Sequence, residues 1–230
     1  MTIVNAKILL GYILPLLFAS CSTWETPRMT KTGDSLVDAQ ALTVKGDFGR
    51  SINGTAFQQD AVITCGQYQY VCYYDAQRRV CLARRRLPAG GWEVIRFADY
   101  EFKSDDAHNV VCMGICPQDG TIHLAFDHHV GPLHYRVSRK GAATKPETAA
   151  WDATLFGPIT SELEKGRPIK ITYPRFWQTP EGGLQFCYRQ GTCGDGDRVL
   201  VDYDAAAGAW TGTRQIDSRQ GKFADTMGES

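Results

Sequence analysis

From residue 60 onward the chain alternates apolar and polar residues in short runs, a pattern typical of β-strands. Eleven such runs are separated by turns that contain glycine, proline or aspartate. The predicted strands are Ala61–Thr64, Tyr68–Tyr74, Val80–Arg86, Trp92–Phe97, Val110–Cys116, Ile122–Asp127, Leu133–Ser138, Ile169–Tyr173, Leu184–Arg189, Val199–Tyr203 and Trp210–Ile216. No stretch of this region keeps a helical period. The pattern therefore predicts an all-β domain.

A repeat indicates how these strands are grouped. Trp92, Trp151 and Trp210 stand 59 residues apart, and each closes a segment of strand, turn and strand. A period of roughly 50 residues with four short strands per unit is typical of a β-propeller blade, whereas the alternative, a β-sandwich, is not expected to repeat. Closed rings have roughly four to eight blades. We therefore expect an incomplete β-propeller of about three to four blades, the N-terminal part of a longer protein.

Composition limits the classes of partner. The chain has 230 residues, 43% of them hydrophobic, with 25 basic and 25 acidic side chains. This suits one sizeable soluble domain, and the balanced charge argues against nucleic acid as a partner. Arg78, Arg79, Arg84–Arg86 and Lys103 form a basic region, which suits either a polyanion or the solvated edge of a strand.

The first 21 residues have the pattern of an export signal. A short polar start ends at Lys7, an apolar run covers residues 8–18, and Ala19 and Ser20 precede Cys21. Small residues before a cysteine predict lipoprotein processing with Cys21 as the lipidated residue, and an ordinary secretory signal is the alternative. The apolar run is too short for a membrane span. We expect an exported protein, an outer-membrane lipoprotein or a secreted one, with a tether over residues 22–55 and the propeller domain over residues 56–230.

The remaining seven cysteines are scattered singly in strand patterns, as small core residues would be. An odd number cannot all form disulfides, and a zinc site would need cysteines clustered in turns. Asp195 and Asp197 supply too few carboxylates for a calcium shell, so a tight turn is predicted there. We expect no cofactor, and the sequence gives no support for a structural metal ion.

All five histidines fall within 27 consecutive positions. They are His108, His123, His128, His129 and His134. The first precedes a predicted hairpin whose turn is 117–120, and two follow its second strand. Strand ends supply side chains to clefts, and imidazoles transfer protons near neutral pH. For any single histidine the alternative is a structural, hydrogen-bonded role, but the cluster as a whole predicts a functional site.

Three segments together resemble the ulvan lyases of the seven-bladed β-propeller type, which carry a BNR-like repeat. They are HNVVCMGICPQDGTIHLAFDHH at 108–129, TYPRF at 172–176 and YRQG at 188–191. The likeness covers most of residues 60–225, although about half of the family's ring has no counterpart here. It implies a polysaccharide lyase that cleaves ulvan, an acidic sulfated polysaccharide of rhamnose with glucuronic or iduronic acid, by β-elimination.

The resemblance also implies roles for particular residues. His108 is expected to be the base, Tyr173 the acid or acid and base, and Arg189 the group that neutralises the uronate carboxylate. Substrate contact is expected from three residues, namely His128, which could also transfer a proton, His129 and Arg175.

Several of these residues have structural alternatives. Tyr173 could pack in the core, and Arg189 could pair with Asp127 or Asp195. A structural role is the alternative for His129 and is expected of His134, while His123 is predicted to point to the opposite sheet face. At the level of function, the alternatives are a propeller that binds carbohydrate without cleaving it and a sialidase-like hydrolase, which would need a tyrosine–glutamate pair.

Overall fold

The computed structural model describes residues 28–43, 51–54, 62–192 and 196–218. The chain divides into one compact unit up to Ser35 and a second from Leu36 onward. The described part of the first unit, residues 28–35, contains no helix or strand. The predicted export signal with Cys21 lies outside the described residues, as do Cys193 and Asp195.

The described part of the second unit contains twelve strands. They are β1 (Val62–Cys65), β2 (Tyr68–Tyr74), β3 (Arg79–Arg86), β4 (Glu93–Glu101), β5 (Val111–Ile115), β6 (Ile122–Phe126), β7 (His129–Pro132), β8 (Tyr135–Val137), β9 (Lys170–Gln178), β10 (Leu184–Gln190), β11 (Asp197–Asp204) and β12 (Ala209–Asp217). Two short 3-10 turns, Pro146–Thr148 and Ala153–Leu155, precede β9. The all-β prediction is confirmed.

The strands form three antiparallel sheets, with orders β1-β2-β3-β4, β5-β6-β8 and β12-β11-β10-β9-β7. The tryptophans of the repeat stand at similar places. Trp92 precedes β4, Trp210 lies at the start of β12, and Trp151 precedes a segment that bridges to β8 at Tyr135↔Thr160. The 59-residue period therefore follows the succession of antiparallel sheets along the chain, as in the blades of a propeller.

The second sheet is packed between the other two, and every residue of β5 and β6 is buried. Alternate positions serve two cores: Val111 and Met113 pack with the first sheet, whereas Cys112 packs with the third. A strand buried on both faces is apolar throughout rather than alternating. Gly114 permits the close approach of the third sheet, because a Cβ there would lie 2.5 Å from Phe176.

Two segments outside the sheets complete the first core. Leu42 and Ile52 are buried in it. The Asn53 side chain donates to the carbonyl oxygens of Leu42 (3.0 Å) and Tyr74 (2.8 Å). The folded unit thus extends back to Leu36, into the segment predicted as a tether.

The basic region supports the first sheet. Arg84 is 8% exposed, donates to Glu93 at 2.7 Å and lies 4.4 Å above the ring of Trp151. Arg79 pairs with the fully buried Asp75 at 2.7 Å. These contacts give both arginines a structural role.

The six cysteines within the described ranges are free thiols, and all but Cys65 are buried. This agrees with the prediction of small core residues. Among the described residues, the structure contains no helix of the length and apolar character needed to cross a membrane.

Candidate functional site

The site begins at the turn before β5, where a short polar stretch fixes His108. The backbone N–H of His108 donates to the Asp106 carboxylate at 2.9 Å, and the N–H of Asp106 donates to the Ser104 hydroxyl at 2.9 Å. Side chains of aspartate and serine that accept from the backbone two residues on are the usual means of building such a turn. His108 therefore projects from a locally braced backbone.

A second part of the site comes from three neighbouring strands of the third sheet. His129 of β7 is the partner of Thr172 in β9, and Thr172 is the partner of Arg189 in β10. The fully buried Thr172 hydroxyl accepts from the Val130 N–H at 2.9 Å and donates to the Gly191 carbonyl at 2.7 Å. This row places His129 and Arg189 at the same level of the sheet.

Irregularities in two strands lie at the same level. The β9–β10 register passes from Arg175↔Cys187 to Thr172↔Arg189, so the intervening pair in β9 forms a bulge. Within it Tyr173 has φ +53°, and in β7 the extra residue Val130 has φ +60°. Left-handed backbone costs about 1–3 kcal/mol for such residues, and bulges near functional sites redirect side chains.

Together these elements bring four polar side chains into one cluster, formed by His108, His129, Tyr173 and Arg189. The two imidazoles stack with ring centroids 4.5 Å apart, and each centroid lies 5.9 Å from that of Tyr173. The Arg189 guanidinium carbon lies 5.5 Å from the same phenol ring. The imidazoles are partly exposed, whereas Tyr173 and Arg189 are buried. The arrangement combines three groups that can transfer a proton with a fixed positive charge.

Asp106 links the two imidazoles and was missed in the sequence. One carboxylate oxygen lies 2.5 Å from Nδ1 of His108, and the other lies 2.5 Å from Nδ1 of His129. Burial alone would raise the pKa of the Asp106 carboxyl, but the hydrogen bonds from His108 and His129 outweigh it and hold that pKa below its ordinary value. The available signal was an aspartate two residues before a candidate base.

Asp106, His108 and His129 are also the group among the described residues that could ligate a metal ion, since their ligand atoms all lie within 4.8 Å of one another. Two ligands of a tetrahedral zinc stand roughly 3.3 Å apart, given bonds of about 2.0 Å. The 2.5 Å between Asp106 and each imidazole is shorter. The spacing fits hydrogen bonds, and a bound metal would require the three side chains to move apart.

The structure does not place His128 in the cluster. It is 1% exposed, its Nε2 accepts from the His134 N–H at 2.9 Å, and burial lowers its pKa well below the ordinary value. Its expected contact with substrate stays a prediction.

His123 lies in the core between the Tyr135 hydroxyl (2.6 Å) and the Thr121 hydroxyl (2.7 Å), and burial lowers its pKa to about 3.

Gly196, the residue before β11, lies close to the Arg189 side chain. A Cβ at Gly196 would lie 2.5 Å from the Arg189 Cγ, so only glycine leaves room for the side chain. Arg175 lines one pocket together with Tyr173 and Arg189. Its expected role in binding substrate stays a prediction. Asp127, a proposed alternative partner of Arg189, accepts hydrogen bonds from Tyr100 and Asn109.

Comparison with known proteins supports the same family as the sequence motifs. The chain is 28% identical over 190 residues to the long isoform of ulvan lyase from Alteromonas sp, covering 66% of this chain and 19% of that protein. It also matches the crystal structure of polysaccharide lyase Uly1, with a TM-score of 0.61 and 24% identity over 79% of this chain and 45% of that one.

A third match is an ulvan lyase structure bound to -[GlcA(1-4)Rha3S]-, with a TM-score of 0.52 and 16% identity, covering 76% of this chain and 41% of that one. The solved structures confirm the propeller fold. The chain thus spans about a fifth of the long isoform and less than half of the solved lyases. A family model described as "BNR repeat-containing family member" matches residues 68–228 of this chain. Because that match covers more than half of the sequence, the chain belongs to the BNR repeat-containing family.

Proposed function

We propose that this chain carries the catalytic groups of a polysaccharide lyase that cleaves ulvan by β-elimination. The observation that carries the proposal is the convergence of His108, Tyr173 and Arg189 from three separate segments onto one partly open cluster. The similarity to ulvan lyases supplies the polymer: a sulfated polysaccharide that contains uronic acid.

The first requirement of the reaction is a more acidic C5 proton. A uronate carboxylate opposes its removal, because a second negative charge would develop beside the first. Arg189 can offset this charge with two parallel hydrogen bonds to the carboxylate oxygens. Its burial strengthens the effect, because a charge in a region of low dielectric acts more strongly on a developing anion.

The second requirement is a base and an acid. In the proposed step His108 removes the proton from C5, and the electron pair of that bond forms the C4–C5 double bond. The C4–O4 bond breaks, and O4 takes a proton from the Tyr173 hydroxyl. Each proton transfer contributes about a hundred- to ten-thousand-fold to the rate. His129 stacks on His108 and faces the same phenol, so it is the second imidazole available here.

The test is to mix the chain with ulvan and follow the ultraviolet absorbance of the unsaturated uronate together with the release of reducing ends. A lyase raises both. New reducing ends without the absorbance would indicate a hydrolase, and retention on the polymer without cleavage would indicate a carbohydrate-binding module. Either of the last two results would overturn the proposal.

A further inference from the structure

We propose that Asp106 is a positioning residue that holds His108 and His129 together, each with its ring proton on Nδ1. The two Nε2 atoms are then presented as a matched pair of proton acceptors. This inference rests on the proposed function for its catalytic consequence, but the tautomers themselves are a property of the protein alone.

The geometry assigns the protons. An ionised carboxylate only accepts hydrogen bonds, so an imidazole nitrogen 2.5 Å from it must be the donor. Each Asp106 oxygen has its own imidazole, so neither ring competes with the other. The nitrogen that carries the proton in a histidine is set by the hydrogen bond at that nitrogen. In each of the two rings, the nitrogen with the lone pair is therefore Nε2.

Asp106 is itself well fixed. Its carboxylate also accepts the His108 backbone N–H, and its own N–H donates to Ser104, so backbone and side chain are both restrained. The carboxyl remains ionised into the acid range, because its pKa lies below the ordinary value. Because the carboxylate is restrained and ionised, it can keep its hydrogen bonds to both rings and so hold both in one orientation.

The arrangement also balances charge during the reaction. When either Nε2 takes the C5 proton, the resulting imidazolium lies beside the Asp106 carboxylate, and the pair has no net charge. Without the anion, an imidazolium formed on either ring would have no opposite charge beside it. One carboxylate thus supports proton transfer at two imidazoles. Two neighbouring histidines without a shared carboxylate would lack this support.

The decisive variant is Asp106→Asn, because an amide has one acceptor and one donor in the same shape. One imidazole can still donate to the amide oxygen, but the other meets an N–H and must move its proton to Nε2. Asp106→Glu keeps the charge. Asp105→Asn is the matched control, since the Asp105 side chain is 58% exposed and pairs with Arg78.

The primary measurement is the tautomer of each ring by ¹⁵N NMR on the full chain without substrate, assigned with His108→Gln and His129→Gln. We expect Nδ1–H at both rings in wild type and in Asp105→Asn, and a change to Nε2–H at one ring in Asp106→Asn. An Nε2–H ring in the wild type, or unchanged tautomers in Asp106→Asn, would overturn the inference.

Kinetics on ulvan then test the consequence. In Asp106→Asn kcat should fall about a hundred- to ten-thousand-fold while KM changes little. The amide leaves an imidazolium formed on either ring without an anion beside it and moves the proton of one ring to Nε2, and both changes impair proton transfer rather than binding. Asp106→Glu should recover part of kcat, and Asp105→Asn should match wild type. Equal kcat in wild type and Asp106→Asn would refute the role. The expected tautomers in a wild type that does not cleave ulvan would refute the lyase proposal and leave the positioning of the rings supported.

Discussion

At the scale of single residues, Arg189 makes the sharpest prediction. Arg189→Ala should lower kcat on ulvan by about a hundred- to a thousand-fold, as loss of one preorganised stabiliser of developing charge does elsewhere. Arg189→Lys should recover little, since an ammonium cannot make two parallel bonds to a carboxylate. Arg214→Ala is the control, because that arginine is 44% exposed and pairs with Asp202. Wild-type turnover in either Arg189 variant would remove this residue from the mechanism.

Tyr173 and His108 should differ in which sugar they affect. Glucuronate and iduronate present the C5 proton on opposite faces of the ring, whereas O4 requires a proton in both. Tyr173→Phe should therefore stop all cleavage, and His108→Ala should impair one epimer more than the other. The measurement is the uronate composition left after digestion by each variant. Equal loss on both epimers in His108→Ala would make His108 a general binding residue.

The sequence identified part of this cluster but not all of it. His108, Tyr173 and Arg189 follow from motifs whose spacing resembles a known family. The choice between His128 and His129 could not be made by counting alternate positions, because Asp127 and Val130 have left-handed backbone and break the alternation. Asp106 lies in a loop, where no periodic pattern indicates the direction of a side chain.

At the scale of elements, the start of β11 should control the position of Arg189 through Gly196, the residue before it. Gly196→Ala would place a Cβ 2.5 Å from the Arg189 Cγ and 2.9 Å from the Gln190 carbonyl oxygen. The arginine or the strand must shift, and displacement of about 1 Å at a catalytic group can lower the rate roughly a hundredfold. We expect kcat to fall with little change in melting temperature. Gly91→Ala, which meets nothing within 4 Å, is the control. An unchanged kcat in Gly196→Ala would show that Arg189 tolerates the crowding.

Eleven of the strands were predicted from the sequence with ends correct to within five residues, and β7 was missed. That strand has four residues, includes Gly131 and Pro132, and pairs with β9. Nothing local favours it as a strand. Its existence depends on a partner some forty positions away, and a window that reads neighbouring residues cannot detect such pairing.

At the scale of the whole described unit, the tryptophan spacing predicted the division into blade-like sheets, because each sheet consists mainly of strands that follow one another in the chain. It could not show that the middle sheet is buried on both sides. A fully apolar run such as β5 is compatible with any buried strand, and only packing assigns its two faces. The buried polar group in the adjacent strand β6, His123, could not be recognised as a core residue for the same reason.

His123 makes stability depend on pH. Its folded pKa is about 3, below the ordinary 6.5, so the unfolded chain binds a proton as pH falls through 6.5 and the folded chain does not. Stability is therefore lost on acidification, by roughly 2 kcal/mol from this residue between pH 7 and pH 5. We expect urea unfolding to show that the free energy of unfolding of the wild type falls between pH 7 and pH 5. In His123→Gln the fall over the same range should be smaller by about 2 kcal/mol. Tyr135→Phe removes a hydrogen-bond partner of His123 but keeps the buried imidazole, so it should lower stability at both pH values and retain the wild-type slope. A wild-type slope in His123→Gln would mean that His123 does not resist protonation in the folded chain.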